Sequence, residues 1–290
     1  MDETSLPVPT QDGRLLMAAA FGPHDGRPVL VCHGTPGSRM FSVPDHSLLE
    51  RAGIRLVTYD RPGYGGSTAR PDRSVADAAA DVGLVADALT VQRFALLGFS
   101  GGGPHALAAA EGLGDRITRC AAVSSVAPMD AEGLDFFAGM SQVNLDEFDA
   151  ALAGRDSIAA VLDPVAAAVR EDVYAFLASL RAELPDADRR ALDHPSIDRL
   201  LAESITEGLR PGASGWVDDD MAFCRPWAFD VGRVRVPVGV WHGTEDSLVP
   251  PSHAAWLCAM VPRAEGHLTV GAGHLGPLLE MEAILRWLTD

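Results

Sequence analysis

Short apolar runs alternate along the chain with longer Ala- and Leu-rich stretches at helical spacing, and this alternation constrains the fold more than any other feature. It is the pattern of parallel strands joined by crossover helices. The run from Val29 to Cys32 is apolar at every position, as expected of a strand that helices cover on both faces. We therefore predict a mostly parallel sheet flanked by helices. The predicted strands lie near residues 15–20, 29–32, 55–59, 94–99, 120–124, 236–241 and 268–270.

Helical patterns fill the gaps between these runs. Ser74 with Asp77 three residues later resembles a capping box, which predicts the start of a helix. A second helix is predicted after Gly102, a third near Ser252, and a fourth from about Pro277 to Leu288. These positions suit an α/β fold in which helices follow strands.

The regular alternation stops at Pro128 and resumes at Val234. The residues between have helical patterns and hardly any strand-like runs, which predicts a helical cap at 128–226 inserted into a core of 1–127 and 227–290. From Ala127 to Pro226 there are 20 acidic residues against 8 Arg, a net −12 of the chain's −17. Solvated helix faces are the simplest explanation for this excess.

The charge balance of the whole chain excludes several classes of function. Acidic residues outnumber basic ones 40 to 23, which argues against nucleic acid and anionic membranes, because both need clustered positive charge. All 23 basic residues are Arg, so the chain has no Schiff-base Lys, no Walker-loop Lys and no Ser-Lys dyad. We expect a small-molecule substrate and no cofactor.

The beginning of the sequence and its cysteines bear on the compartment. Met1-Asp2-Glu3 lacks the basic start and apolar run of a secretory signal, and no run of about 18 apolar residues offers a membrane span, so we expect a cytoplasmic protein. No C-x-x-C pattern signals a metal site or a disulfide framework, and buried free thiols are expected. The four cysteines are Cys32, Cys120, Cys224 and Cys258.

The segment 98–102, Gly-Phe-Ser-Gly-Gly, matches the pattern G-x-S-x-G between a predicted strand and a predicted helix. Such a turn strains the serine, so the residues two before and two after it must be small, and both are Gly. The hydroxyl would stand at a helix N-terminus, where negative charge is favoured. A serine that only caps the helix is the alternative. The context favours Ser100 as a nucleophile.

An oxyanion hole for this serine needs two N–H donors, and losing one typically costs about 2.7–4 kcal/mol of transition-state stabilisation. The loop His33-Gly34-Thr35-Pro36-Gly37 follows the predicted strand 29–32 and can supply one of them. We predict the backbone amides of Thr35 and Gly101 as the donors. His33 precedes the nucleophile, so it is predicted to hold the loop rather than act as a base.

A carboxylate is predicted at Asp246, in the loop that follows the strand 236–241. Glu245 is a poorer candidate. Asp130, after an earlier strand, remains the fallback.

The general base is predicted at His274, in a Gly-rich loop after the last strand and in the chain order Ser, acid, His. His242 is the main rival, although its place directly after a strand suggests a buried structural imidazole. His253 and His267 are expected at the surface. In this arrangement Asp246 would fix the tautomer of His274, which takes the serine proton.

These motifs together resemble the α/β-hydrolase superfamily across nearly the whole chain: H-G-x-P-G at 33–37, Asp60-Arg61-Pro62-Gly63-Tyr64-Gly65-Gly66-Ser67, G-F-S-G-G, the H-G-x-x-D loop and the late G-x-G-H. The resemblance implies an α/β-hydrolase fold with an inserted helical cap. The serine at 100 argues against relatives whose nucleophile is Asp. The loop 33–37 and the Asp60 block look most similar to proline iminopeptidases and related esterases. Thr35 and Gly101 depart from the peptidase pattern, which usually has Gly and a bulky residue there.

The resulting expectation is a serine hydrolase that cleaves a carboxylic ester, lactone or thioester through an acyl-enzyme. An aminopeptidase, a lyase or perhydrolase on the same fold, and a non-catalytic ligand receptor remain alternatives. Near the exit of the cap, Trp216, Phe223 and Trp227 are predicted to form an apolar wall for the acyl group, unless they only dock the cap onto the core. The run Asp218-Asp219-Asp220 would anchor a substrate amine under the peptidase alternative.

Overall fold

The computed structural model describes residues 5–290, apart from the side chain of residue 183, so the Met1-Asp2-Glu3 start lies outside the described residues. The described chain forms one eight-stranded sheet. Its strands are Leu6–Pro9 (β1), Leu15–Phe21 (β2), Arg27–Cys32 (β3), Ile54–Tyr59 (β4), Phe94–Phe99 (β5), Ile117–Val123 (β6), Val238–Gly243 (β7) and Ala264–Thr269 (β8).

The strand order is β1-β2-β4-β3-β5-β6-β7-β8. Within this sheet β2 runs antiparallel to both of its neighbours, and every pairing from β4 to β8 is parallel. The mostly parallel sheet and the α/β-hydrolase fold predicted from the sequence are thus confirmed. All seven predicted strands overlap an observed one.

The two edge strands differ from the prediction. β1 was not expected, because Leu6-Pro7-Val8-Pro9 contains two prolines, which a strand tolerates at the edge of a sheet. β8 begins at Ala264 and ends before Val270, so the predicted strand 268–270 is placed too late. An edge strand needs few apolar residues, and no residue of β8 is fully buried: Ala264, His267 and Thr269 are partly buried and the other three are exposed.

Both faces of the central strands are covered, as the apolar run 29–32 indicated. Val29 and Val31 of β3 belong to one core cluster, while Leu30 and Cys32 belong to the cluster on the opposite face. Because successive side chains of a strand point to opposite faces, this division places a layer of helices on each side of the sheet.

Eleven α-helices are present in the described residues. Ser74 and Asp77 form the expected capping box at a short 3₁₀ turn that leads into α2. The last predicted helix, 277–288, is a 3₁₀ segment from Gly276 to Glu280 followed by α11. The bounds are Ser47–Ala52 (α1), Ala78–Ala88 (α2), Gly102–Leu113 (α3), Gln142–Ala153 (α4), Arg155–Glu171 (α5), Val173–Glu183 (α6), Asp186–Leu192 (α7), Pro195–Gly208 (α8), Ser214–Phe223 (α9), Pro251–Met260 (α10) and Met281–Thr289 (α11).

Six of these helices, α4 to α9, lie between β6 and β7, a stretch without strands in the described chain. Five of them, α4, α5, α6, α8 and α9, share an apolar cluster that includes Ile158, Leu162 and Trp216, and Tyr64 from the loop after β4 joins it. Across residues 5–290, none of the helices has the length and apolar character that crossing a bilayer requires.

Candidate active site

Ser100 stands at a sharp turn between β5 and α3, with a positive φ of 53°. Two glycines make this turn possible. A Cβ atom at Gly98 would lie 2.4 Å from the Gly102 carbonyl oxygen, and one at Gly102 would lie 2.0 Å from the Cys32 carbonyl oxygen. Larger residues would therefore push α3 away from the sheet, which explains the Gly-x-Ser-x-Gly spacing.

The structure brings Ser100, His274 and Asp246 together from the carboxyl ends of three strands. His274 Nε2 lies 2.9 Å from Ser100 Oγ, and His274 Nδ1 lies 2.8 Å from Asp246 Oδ2. His274 and Asp246 are buried, whereas Ser100 is only partly buried. With a carboxylate at Nδ1, the ring proton resides there and Nε2 is free to accept the serine proton.

Asp246 is held as an anion by the groups around it. Its Oδ1 accepts hydrogen bonds from the Leu248 and Val249 amides at 3.0 and 2.8 Å. His242 Nε2 lies 3.2 Å from Oδ2 and also 2.8 Å from the Val249 carbonyl, the structural position expected for this residue. Burial alone would raise the pKa of Asp246, but His274 and the hydrogen bonds from both histidines outweigh it and lower the pKa.

Two residues that the sequence did not single out hold the loop of His274. Ser124, directly after β6, donates from Oγ to the His274 carbonyl at 2.7 Å. Asp188 of α7 is fully buried and accepts the Leu275 amide at 2.7 Å. Burial alone would lower the pKa of His274, but Asp246 and then Asp188 outweigh it and raise the pKa.

The loop 33–37 lies against Gly101, the residue that follows Ser100. A Cβ atom at Gly101 would lie 2.3 Å from Thr35 Oγ1, so Thr35 and Gly101 are in close contact. No backbone carbonyl among residues 5–290 accepts either of their amides. His33 Nε2 accepts the Arg61 amide at 3.2 Å and Nδ1 donates to the Gly34 carbonyl at 2.7 Å, so His33 fastens this loop as predicted.

The structure places the rival residues elsewhere. Asp130 is exposed in a turn after β6, and Glu245 is exposed beside Asp246. His253, expected at the surface, is fully buried instead, and that expectation was wrong. Its Nδ1 accepts the Ala127 amide at 3.1 Å and its Nε2 donates to the Phe136 carbonyl at 2.9 Å, so its polar atoms are satisfied inside the protein.

The three consecutive aspartates of α9 have three different environments. Asp218 pairs with Arg155, and Asp219 with Arg61 and Arg73. Asp220 is buried and forms no ion pair with a basic residue of 5–290, and burial together with Glu147 raises its pKa well above the usual value. Asp218 and Asp219 are therefore occupied by arginines and not free to anchor a substrate amine.

Among the predicted apolar wall residues, Phe223 is the one that reaches the nucleophile turn. The tip of its ring, Cζ, would lie 3.1 Å from a Cβ atom at Gly101. Trp216 donates from Nε1 to Glu147 at 2.7 Å inside the cluster shared by the inserted helices. Trp227 stacks on Phe229 with ring centroids 5.8 Å apart.

The described residues contain neither a disulfide bond nor a group of side chains suited to a metal ion. All four cysteines are free, and Cys32 and Cys120 are buried, as expected. Burial raises the pKa of the Cys32 thiol to about 12, so this residue beside the site is not a nucleophile near neutral pH. Residues 5–290 contain no cluster of three or more His, Cys, Asp or Glu suited to a metal ion.

A serine turn after the central strand, with a histidine and a carboxylate from later strand ends, defines the α/β-hydrolase class of proteins. The sequence profile of the alpha/beta hydrolase fold matches residues 27–280. This chain therefore belongs to the α/β-hydrolase family.

Comparisons with individual proteins give relatives of several kinds. The chain is 29% identical over 251 residues to a non-heme chloroperoxidase of Streptomyces lividans, covering 86% of this chain and 84% of that protein. It is 29% identical over 280 residues to a putative carbamate hydrolase of Variovorax paradoxus, covering 93% and 92%. Among solved structures, an esterase from Exiguobacterium antarcticum superposes with a TM-score of 0.70 at 20% identity, covering 99% and 100%.

Proposed function

We propose that this protein is a serine hydrolase that cleaves a carboxylic ester, lactone or thioester of a small organic substrate. The observation that carries the proposal is the continuous chain of contacts from Ser100 Oγ through His274 to Asp246, at 2.9 and 2.8 Å. Both distances are those of hydrogen bonds ready for proton transfer. A fold alone does not define a reaction, so the proposal rests on this arrangement of nucleophile, base and acid, which supports acyl transfer through Ser100.

The reaction follows from these positions. Ser100 Oγ attacks the substrate carbonyl carbon while His274 Nε2 takes its proton, and the imidazolium is stabilised by Asp246. The amides of Thr35 and Gly101 would bind the oxyanion. The tetrahedral intermediate then expels the alcohol or thiol, which takes the proton from His274 and leaves an acyl-enzyme. Water then attacks the acyl carbon and gives a proton to His274, which passes it to Ser100 Oγ as the acid leaves, so that both residues return to their starting state.

The surroundings of the site favour esters over aminoacyl amides. An aminopeptidase must hold a substrate ammonium group, and Asp218 and Asp219 are already paired with arginines. One relative is named an esterase and another a putative carbamate hydrolase, and both names are consistent with an acyl-enzyme here.

Perhydrolysis is a second candidate, because the Streptomyces relative is named a non-heme chloroperoxidase. Hydrogen peroxide in place of water would attack the same acyl-enzyme, giving a peracid and free Ser100. Peroxide would compete with water at the second step only, so the formation of the acyl-enzyme would be unchanged.

Activity on a panel of p-nitrophenyl esters, lactones, thioesters and aminoacyl amides tests the proposal. We expect turnover of esters and loss of nearly all of it in Ser100→Ala, since removing a triad member costs several orders of magnitude. Peroxide added to the ester assay would reveal perhydrolysis as peracid formation. If Ser100→Ala keeps more than about a few per cent of the activity on a good ester, the proposal fails.

A further inference from the structure

One carboxylate of the inserted helices, Asp219 of α9, is completely buried beneath the loop that carries Thr35. Arg61 Nη2 lies 2.5 Å from its Oδ2, and Arg73 Nη1 lies 2.7 Å from its Oδ1. Tyr64 donates from its hydroxyl to Oδ2 at 2.8 Å. Burial alone would raise the pKa of Asp219, but the two arginines hold it well below its usual value, so the group is an anion.

This carboxylate also contacts the predicted oxyanion hole. Thr35 Oγ1 donates to Asp219 Oδ2 at 2.7 Å. The ring of His105 lies between the carboxylate and the nucleophile turn, with Nε2 3.5 Å from Asp219 Oδ1 and Nδ1 donating to the Gly101 carbonyl at 2.8 Å. Asp219 is thus hydrogen-bonded to Thr35, one of the two predicted donor residues, and only the His105 ring separates it from Gly101, the other.

Arg61 extends the link to the backbone of the loop. It donates to the carbonyls of His33 and Gly34, the latter at 3.1 Å, and to Thr35 Oγ1 at 2.9 Å. The same guanidinium pairs with Asp219. The carboxylate therefore fixes the position of Arg61, and Arg61 in turn fixes the loop 33–37.

The helix reaches this depth through a close approach of two glycines. A Cβ atom at Gly215 would lie 2.8 Å from the Gly63 carbonyl carbon and 2.6 Å from the Tyr64 ring. Arg73 donates to the Gly215 carbonyl at 3.1 Å and fixes the same end of α9. The first turn of α9 therefore rests directly on the loop after β4, and Asp219 follows one turn later.

We propose that Asp219 is a positioning residue that sets the oxyanion hole from the inserted helices, acting through the Thr35 hydroxyl and Arg61. This inference rests on the proposed function. An oxyanion hole stabilises the transition state only if its donors are oriented before the reaction, so loosening Thr35 lowers kcat more than it affects substrate binding.

Three variants separate this role from general stability. Thr35→Val removes the hydroxyl that contacts Asp219 while keeping a side chain of similar shape and leaving the contacts between Asp219 and the arginines in place. Asp219→Asn removes the charge itself. Asp218→Asn is the matched control, because Asp218 is the adjacent buried carboxylate on the same helix and pairs with Arg155 instead.

On a good ester we expect Thr35→Val to lower kcat about tenfold and Asp219→Asn to lower it about 100-fold, each with KM nearly unchanged. The complete loss of one oxyanion-hole donor typically lowers kcat by about 10²–10³-fold, which sets the scale. Asp218→Asn should stay within about twofold, as a substitution outside the site does. A trifluoromethyl ketone, which Ser100 converts to an oxyanion, should bind Thr35→Val more weakly by the same factor as its loss in kcat/KM. The pH profile of kcat/KM should keep its midpoint, because His274 is untouched.

A purely structural role would give a different result. Whatever stability Thr35→Val and Asp219→Asn lost, their folded fraction would then keep wild-type kcat and ketone affinity, and the inference would be overturned. If Asp219→Asn does not fold, Thr35→Val decides the matter by the same readouts. A wild type that neither turns over esters nor binds the ketone would instead refute the proposed function, and the inference with it.

Discussion

The loop after β7 and helix α9 each bury one carboxylate close to the turn that carries Ser100. Asp246, in the loop, faces two imidazoles and two backbone amides, and no arginine pairs with it among the described residues. Asp219, on the helix, pairs with Arg61 and Arg73. Arginine stays protonated in proteins, so the charge of Asp219 is balanced permanently.

This difference in charge balance suggests different roles for the loop after β7 and for helix α9 under the proposed function. Under the proposed function, the charge of Asp246 is fully balanced only when His274 gains a proton, so Asp246 would stabilise a state that exists during the reaction. The charge of Asp219 is balanced equally before, during and after the reaction, so it can hold groups in place but cannot favour proton transfer. The core would supply the proton chemistry, and the insertion the rigidity of the oxyanion side.

The largest expected effect is the loss of turnover in Asp246→Asn. Without the carboxylate, His274 adopts the wrong tautomer, and kcat should fall by about 10⁴. Steady-state kinetics on a good ester measure it, with Asp130→Asn as the control that should change little. The opposite result would move the functional carboxylate to the turn after β6.

The next effect concerns stability, where the loss of Asp219 should matter more than the loss of Asp246, the reverse of the order expected for kcat. Asp219→Asn leaves two buried arginines uncompensated and should lower the free energy of unfolding by about 3–5 kcal/mol at pH 7, measured with urea. The partners of Asp246 are histidines and backbone amides rather than arginines, so Asp246→Asn should lower it less. The pKa of Asp219 is depressed, so its contribution is present above the unfolded pKa, near 3.8, and is lost as the pH falls toward the folded value. Equal losses in both variants would contradict the division drawn above.

A smaller effect concerns the apolar side of α9. Phe223 lies one turn after Asp219 and beside Gly101, so Phe223→Ala should shift the preference among p-nitrophenyl esters toward longer acyl chains. Because the change removes a few methylene-sized contacts, we expect the ratio of kcat/KM for long-chain to short-chain esters to change by about tenfold. Substitutions at Trp216 and Trp227 belong to the same test. If none of the three alters the preference, the inserted helices do not select the acyl group.

The smallest effect is a shift of the pH profile in Asp188→Asn. The base must be neutral, so kcat/KM falls as the pH falls through the pKa of His274, which lies above its ordinary 6.5. Asp188 helps to raise this pKa, and removing its charge should move the acid limb to lower pH while the plateau remains. Asp186→Asn, on the exposed side of the same helix, is the control and should leave the limb in place. A shift to higher pH would show that Asp188 does not act through its charge.

The parts of the molecule that the sequence predicted best are those fixed by short-range rules. Strand runs, the glycines around Ser100 and the Gly-rich loop of His274 each require particular residues at close spacing. Asp188 and Asp219 could not be found this way, since they are 2 of 20 acidic residues in the segment 127–226 and only the tertiary packing separates them from the others. The run 218–220 is conspicuous in the sequence, but the arginines that pair with Asp218 and Asp219 lie more than 60 residues away in the chain.

The wrong predictions for the two edge strands and for His253 also come from features that only the tertiary structure determines. β1 carries prolines and β8 few apolar residues, because an edge strand is paired on one side only. His253 looked exposed, since nothing in its neighbourhood of sequence predicts the backbone groups of Ala127 and Phe136 that satisfy it.

The central claim is that Ser100 is an activated nucleophile, and mass spectrometry after treatment with a fluorophosphonate probe tests it most directly. The account predicts one adduct per chain, found by proteolysis on the peptide that contains Ser100, and no adduct in folded Ser100→Ala. It also predicts much slower labelling of Asp246→Asn, because the base loses its orientation. A folded wild type that does not label, or an adduct that persists in Ser100→Ala, would contradict the account.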